Sequence, residues 1–222
     1  MSVSGSSFAF SPSESAKKTP ASYDNLIDNR VDLLCRHAKS CLLYSQQIQD
    51  EVKKQVVLDE GARAIDDALK LKDSHFDALK QGALIAHERA TRLEGSAQRI
   101  EYAKFKEFAD RALQANSEDF DLLYFRGLYH FKNPESSLVQ RLCFPCSFST
   151  NELAIEDFLE AEELRPKQYI DIHYHLALCY KAAGNVERTL QHLRVVEELE
   201  AVDAVHRRMK AEASNIRIEM LN

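Results

Sequence analysis

The most informative stretch of this chain is AIEDFLEAEELRPKQYIDIHYHLALCYKAAG, residues 154–184. Its first half places small and aromatic side chains at helical spacing and ends at Pro166, where a helix stops. Its second half carries a large, a small and an aromatic side chain on one helix face, at steps of three and four: His173, Leu176, Ala177 and Tyr180. Small residues let two helix axes pack closely, so the stretch predicts two adjoining helices of a packed array.

This pattern resembles the tetratricopeptide repeat (TPR), a helix pair of about 34 residues. The small residue of the second helix recurs along the chain at steps of 44, 49 and 35 residues, as Ala68, Ala112, Ala161 and Val196. The last step is close to the ideal, and the first two contain insertions. We predict an all-α, TPR-like superhelical array of about four antiparallel helix pairs with a C-terminal capping helix. Such an array presents a groove.

The helical spacing continues through most of the chain and predicts one domain over residues 23–222. The second helix of each pair is expected at 53–72, 97–115, 151–166 and 186–200, and each first helix precedes it. Residues 133–150 interrupt the third pair as an insert, because Asn133-Pro134 stops the preceding helix. Apolar residues at steps of three and four then predict a capping helix over 201–220.

Residues 1–22 form a Ser-rich segment with few large apolar side chains, which we expect to be flexible. It contains Ser11-Pro12 and Thr19-Pro20, the dipeptides on which proline-directed kinases act. These dipeptides are phosphorylation candidates; the alternative is that they occur by chance in a Ser-rich segment.

Net charge, apolar runs and cysteine content argue against several classes of protein. A net charge of -6 argues against a protein that binds nucleic acid by overall electrostatics. No apolar run approaches the roughly 18 residues of a membrane-spanning helix. The five cysteines are an odd number, and several occupy apolar helix positions, which favours a reducing compartment. We therefore expect a soluble cytoplasmic protein without a transmembrane segment.

Catalytic and metal-binding motifs in the sequence are weak. Cys143 and Cys146 have the spacing of half a zinc site, but no second such pair occurs. His173 and His175 lie close in sequence; we interpret the first as a packing residue and the second as exposed in the groove. No nucleophile elbow, P-loop or zinc-protease motif is present. We predict no enzyme activity, no catalytic residue, no metal and no cofactor.

The groove is the expected binding site, lined by the first helices. Placing Leu34, Leu79, Leu123 and His173 at the equivalent buried position directs a mixed basic and aromatic set toward it: Arg36, Lys39, Lys80, His87, Tyr124, Leu128, Tyr174 and Lys181. Cations and rings together suit an acidic extended peptide, although ordinary solvated helix positions would look the same. At the positions of the lysine and asparagine clamp of chaperone-binding TPR proteins, only Lys39 fits, so we do not predict chaperone docking.

Several segments together resemble the regulator of microtubule dynamics (RMD) family over about residues 23–200. Residues 33–40, LLCRHAKS, are similar to that family's opening L-L-W-R-L-A-R-A. The similarity continues through residues 122–131, the insert near Cys143, FLEAEELRP at 158–166, and CYKAAG at 179–184. The chain departs from the pattern at Cys35, which replaces Trp, and at His37, which replaces Leu.

The resemblance implies a protein of the cytoskeleton that associates with microtubules, spindles and spindle poles and helps chromosome segregation. Its implied partner is tubulin. Two other hypotheses stay open: a TPR adaptor that binds a peptide or helix of another protein, and a lipid-binding module at membrane contacts, with Tyr124, Leu128 and Tyr174 lining an apolar pocket.

Overall fold

The structure, a computed structural model, describes residues 20–132 and 151–221. Within these ranges every regular element is a helix. In chain order the helices are α1 (Pro20–Ser45), α2 (Glu51–Leu71), α3 (Phe76–Ala90), α4 (Gly95–Ala115), α5 (Phe120–Lys132), α6 (Asn151–Leu164), α7 (Ile170–Ala182), α8 (Val186–Glu198) and α9 (Ala204–Leu221).

The helices pack as consecutive pairs. Most contacts join α1 to α2, α3 to α4, α5 to α6 and α7 to α8. The first helices also contact one another in sequence, α1 with α3, α3 with α5, and α5 with α7. They therefore form one continuous layer, and α9 packs on both helices of the last pair. The prediction of an all-α, TPR-like array of four pairs with a capping helix is confirmed.

Small side chains lie where the two helices of a pair cross. The four recurring second-helix positions are fully buried: Ala68, Ala112, Ala161 and Val196. Gly127 on α5 lies in direct contact with the neighbouring helix. A Cβ at this position would lie 2.8 Å from ring atoms of Phe158 on α6. Around this crossing, Phe105, Phe158 and Leu122 form the centre of the largest core cluster. The repeat spacing in the sequence thus marks the helix crossings.

Polar side chains fix where helices begin. The Asp50 carboxylate accepts hydrogen bonds from the backbone N–H groups of Val52 and Lys53, at 3.0 and 3.2 Å, and so caps α2. The Asn185 side chain accepts from Arg188 at 3.0 Å and caps α8. Between α7 and α8, Gly184 has φ +72°, a left-handed conformation that glycine adopts without strain. These local signals mark the turn between the two helices of the first pair and of the last pair.

Helix α1 begins at Pro20, earlier than the expected start at residue 23, and α9 begins at Ala204 rather than 201. The predictions for residues 1–19 and for the insert at 133–150 lie outside the described residues, and so do those for Ser11, Thr19, Cys143 and Cys146.

Candidate binding surface

Arg36 and Lys39 lie together on the exposed side of α1, at a spacing of three residues. Within the described parts of the chain neither side chain forms an ion pair. Both border a depression of about 240 Å³ between α1 and α3, whose other lining residues are Asp32, Cys35, Asp77 and Gln81. The depression therefore combines two cations with two carboxylates and one amide.

Gln81 supplies an unused hydrogen-bond acceptor at this depression. Its side chain on α3 is 7% exposed, and its Oε1 has no hydrogen-bond partner among the described residues. A buried polar atom without a partner costs free energy. Because Oε1 is buried, a ligand in the depression reaches it only after the Gln81 amide turns outward, and an N–H donated to it would then remove that cost.

Lys80 occupies the next first-helix position, but its charge is already compensated. Its ammonium donates to Asp119 at 2.7 Å and to Asp121 at 2.9 Å, and it is only 19% exposed. Burial opposes the charge on Lys80, yet the hydrogen bonds to the two carboxylates outweigh burial and raise the pKa of Lys80. Lys80 therefore connects α3 to the start of α5 through these two ion pairs.

His87 and Leu128 differ from the groove position expected for them, because both are buried. His87 on α3 packs against the rings of Tyr102, Phe105 and Phe125. Burial, with a smaller effect of the Lys132 charge, lowers the pKa of His87 to about 4, so the ring is neutral at pH 7. Leu128 belongs to the largest core cluster. His87 is covered by rings from α4, its own partner helix, and by Phe125 from α5, so the face that the register directed toward the groove is part of the core.

Tyr124, Tyr174 and Lys181 lie toward the other end of the first-helix layer. The ring of Tyr124 stacks on Phe120 and contacts Phe158, and burial together with the nearby Asp171 raises the pKa of the Tyr124 hydroxyl.

Tyr174 and Lys181 both contact the capping helix. The Tyr174 hydroxyl donates to Glu212 at 2.5 Å, and the Lys181 ammonium lies 3.5 Å from a carboxylate oxygen of Glu219. Helix α9 therefore covers the part of α7 that was expected to be open.

The structure brings Arg36 and Lys39 together and separates the remaining members of the set. Acidic residues that the sequence interpretation left out decide this outcome: Asp119 and Asp121 at Lys80, and Glu212 and Glu219 on α9. Asp119 and Asp121 are visible in sequence as acids at the start of α5, but their distance from Lys80 depends on how α5 packs against α3.

His173 and His175 on α7 are both buried. His173 is 3% exposed, as its packing role predicted, and its Nδ1 lies 3.1 Å from Nδ1 of His192 on α8. The expected groove exposure of His175 is wrong, because its ring is 9% exposed, stacks on Phe158 and contacts Phe131. The His173–His192 contact therefore lies within the fourth pair, and the His175 ring packs between the third and fourth pairs.

Solved structures with a related arrangement include forms of MamA. One MamA mutant has a TM-score of 0.48 and 18% sequence identity, and the match covers 80% of this chain and 99% of the MamA chain. A second MamA structure gives the same TM-score and identity over 81% of this chain and 96% of the other. None of the helices in the described residues is long and apolar enough to cross a membrane.

Sequence comparisons point to a family. The rat (Rattus norvegicus) protein named regulator of microtubule dynamics protein 3 is 26% identical over 182 residues, which covers 77% of this chain. The chain spans 37% of the length of that relative. The family model described as regulator of microtubule dynamics protein 1-3 matches residues 10–220, nearly the whole sequence. The chain therefore belongs to the regulator of microtubule dynamics family.

Proposed function

We propose that this protein is a non-enzymatic, microtubule-associated protein that helps to organise spindle microtubules and to segregate chromosomes. The observation that carries the proposal is the match of the family model to residues 10–220. The TPR-like architecture supports a binding role, since solenoids present extended surfaces to partners. The proposed location is the cytoplasm, on the cytoskeleton and at spindle poles.

Microtubule surfaces are acidic, and a chain of net charge -6 needs a local basic surface to approach them. Arg36 and Lys39 are exposed cations without an ion pair among the described residues, and they border the α1–α3 depression beside Asp32 and Asp77. Lys80 does not add to it, because Asp119 and Asp121 compensate its charge. We place the tubulin contact at Arg36 and Lys39; Lys181, Tyr174 and Tyr124 would contribute where α9 leaves them accessible.

Co-sedimentation of the purified protein with stabilised microtubules tests this contact. We expect binding at low salt that weakens as salt screens the charges. The double variant Arg36→Glu/Lys39→Glu should lose most of the binding. Its matched control is Arg63→Glu/Arg99→Glu, which changes the net charge equally at exposed positions of α2 and α4. If both variants lose microtubule binding equally, or if both keep it, the tubulin contact does not lie at Arg36 and Lys39.

A cell experiment separates the spindle role from tubulin binding. In cells that lack the protein, the unchanged chain should restore spindle organisation and chromosome segregation, whereas Arg36→Glu/Lys39→Glu should not. Restoration by this variant after it has lost microtubule binding in vitro would contradict a role through direct contact.

The unpaired Oε1 of Gln81 favours a second candidate, an adaptor that holds an extended peptide of another protein. Such a peptide would donate a backbone N–H to Gln81, and its acidic side chains would pair with Arg36 and Lys39. Purified tubulin distinguishes the two functions. Direct contact requires only tubulin, whereas the adaptor would co-sediment only after an additional protein is supplied, and Gln81→Leu would abolish that second mode.

A further inference from the structure

A histidine, a cysteine and a glutamate meet on the outside of the first helix pair. His37 Nε2 lies 3.0 Å from Oε1 of Glu60 and 3.8 Å from Sγ of Cys41. One ligand atom from each residue lies within 4.8 Å of the other two. Among the described residues this is the one group of three or more potential ligands that approach so closely.

Regular helix geometry holds the three side chains in place. His37 and Cys41 are four residues apart on α1, so they lie one turn apart on the same face. Glu60 comes from α2, and its neighbour Gly61 allows close approach of the helices, since a Cβ on Gly61 would lie 3.0 Å from the Cβ of Cys41. The buried side chains of Ala38 and Leu58 pack beneath this contact. The ligand atoms are therefore arranged by packed helices and not by a loop.

The ligand types and separations suit zinc. Zinc binds thiolate sulfur at about 2.3 Å, imidazole nitrogen at about 2.0–2.1 Å and carboxylate oxygen at about 2.0–2.2 Å. Tetrahedral angles then separate the ligand atoms by about 3.3–3.6 Å. The two separations from His37, 3.0 and 3.8 Å, lie on either side of that range, and the Cys41 sulfur lies within 4.8 Å of a Glu60 oxygen, so side-chain rotation can bring the three ligand atoms to tetrahedral spacing. We propose that His37, Cys41 and Glu60 form a Zn²⁺ site that joins α1 to α2.

The exposed side chains of His37 and Glu60 leave space for the ion and for a fourth ligand. Cys41 is 6% exposed at the base of the group, while the side chains of His37 and Glu60 are 49% and 51% exposed above it. A zinc ion held by these three residues has its fourth position toward solvent, where water or a group from a partner can bind. Hard cations such as Mg²⁺ and Ca²⁺ prefer oxygen ligands and do not suit a thiol and an imidazole.

Zinc binding changes the protonation of the Cys41 thiol. Without metal, burial and the Glu60 charge raise the pKa of the Cys41 thiol, so the sulfur is protonated at pH 7. Zinc binding displaces the thiol proton to solvent, and the ion bonds to the Cys41 thiolate, an imidazole nitrogen of His37 and the Glu60 carboxylate. Because the ligands come from two helices, bound zinc should stabilise the first pair by mass action.

Cobalt binding tests the site on the full chain. The reduced, chelator-treated protein is titrated with Co²⁺ alone and followed by absorbance. We expect a thiolate-to-cobalt charge-transfer band and tetrahedral visible bands that stoichiometric Zn²⁺ removes. Cys41→Ser should lose the charge-transfer band, and His37→Ala should bind at least about 100-fold more weakly, since even outer-shell changes cost 10–100-fold. The melting temperature of the unchanged chain should rise with Zn²⁺, and that of Cys41→Ser should not.

Two controls make the assignment specific. Cys35→Ser removes another α1 thiol near a histidine, but Nδ1 of His75, 3.9 Å from that sulfur, already accepts the Ala78 N–H as a helix cap. Cys143→Ser/Cys146→Ser removes the remaining thiol pair with metal-like spacing. Both controls should keep the cobalt spectrum. A missing charge-transfer band in the unchanged chain, or a band that survives Cys41→Ser and disappears in Cys143→Ser/Cys146→Ser, would overturn the proposal. Circular dichroism of each variant confirms that it is folded.

Discussion

Arg126 on α5 forms a bidentate ion pair with Asp157 on α6. Its Nε donates to Oδ1 and Oδ2 of Asp157 at 3.0 and 3.1 Å, and its Nη2 donates to Oδ1 at 2.6 Å. Asp157 is 3% exposed, and Nη1 of Arg126 also reaches Asp110 on α4 at 3.3 Å. One guanidinium therefore joins the third helix pair to the second, inside the array that presents the proposed binding surface.

Removal of this guanidinium should destabilise the fold strongly. Arg126→Met leaves the Asp157 carboxylate buried without its partner, a change that costs about 3–5 kcal/mol of unfolding free energy. Urea unfolding followed by circular dichroism measures the cost. Lys70→Met, which removes an exposed pair with Asp67, serves as the control and should be close to neutral. Equal effects of the two substitutions would contradict a structural role for the buried pair.

The Gly127 contact predicts a coupled pair of substitutions. Gly127→Ala places a methyl group 2.8 Å from the Phe158 ring and should cost about 1–3 kcal/mol through overpacking. In a Phe158→Leu background the same change should cost less, because the ring no longer opposes the methyl group. A double-mutant cycle measured by urea unfolding checks this, and additive effects would show that the ring is not the obstacle.

Buried histidines predict a loss of stability in mild acid. Burial lowers the pKa of His87, His130 and His192 to about 4 in the folded state, against an ordinary value of 6.5. Between pH 6.5 and 4 the unfolded chain therefore binds more protons at these sites, so stability is present above pH 6.5 and is lost as pH falls.

His87→Leu isolates one of these contributions. It should reduce the slope of unfolding free energy against pH by up to about 1.4 kcal/mol per pH unit within that window. Urea unfolding at several pH values measures the slope. An unchanged slope would mean that His87 is protonated equally in both states.

The cap of α2 predicts a smaller local effect. Asp50→Ala removes the acceptor for the Val52 and Lys53 N–H groups and should cost about 1 kcal/mol. Asp66→Ala, an exposed change in the middle of the same helix, is the charge-matched control and should not destabilise. Thermal unfolding of both variants compares them; a larger loss for Asp66→Ala would exclude capping as the cause.

The helix pairs and their crossing positions could be predicted from the residue spacing alone. Ala68, Ala112, Ala161 and Val196 recur at equivalent second-helix positions between two helix axes, and all four are fully buried. Helix ends were also readable, because stops such as Pro166 act within a few residues of the chain. These signals are local, and a single sequence contains them completely.

Only the tertiary structure decided which charges are free and which ligands meet. Helical spacing shows that Lys80 and Tyr174 share a face with their neighbours, but it does not show what lies opposite. Asp119 compensates Lys80 from 39 residues away, and Glu212 on α9 accepts from Tyr174 across 38 residues. The contact of His37 with Glu60 likewise depends on the packing of α2 against α1. Electrostatics and metal geometry depend on through-space distances of a few ångströms, which the packing of the helices sets and periodicity does not encode.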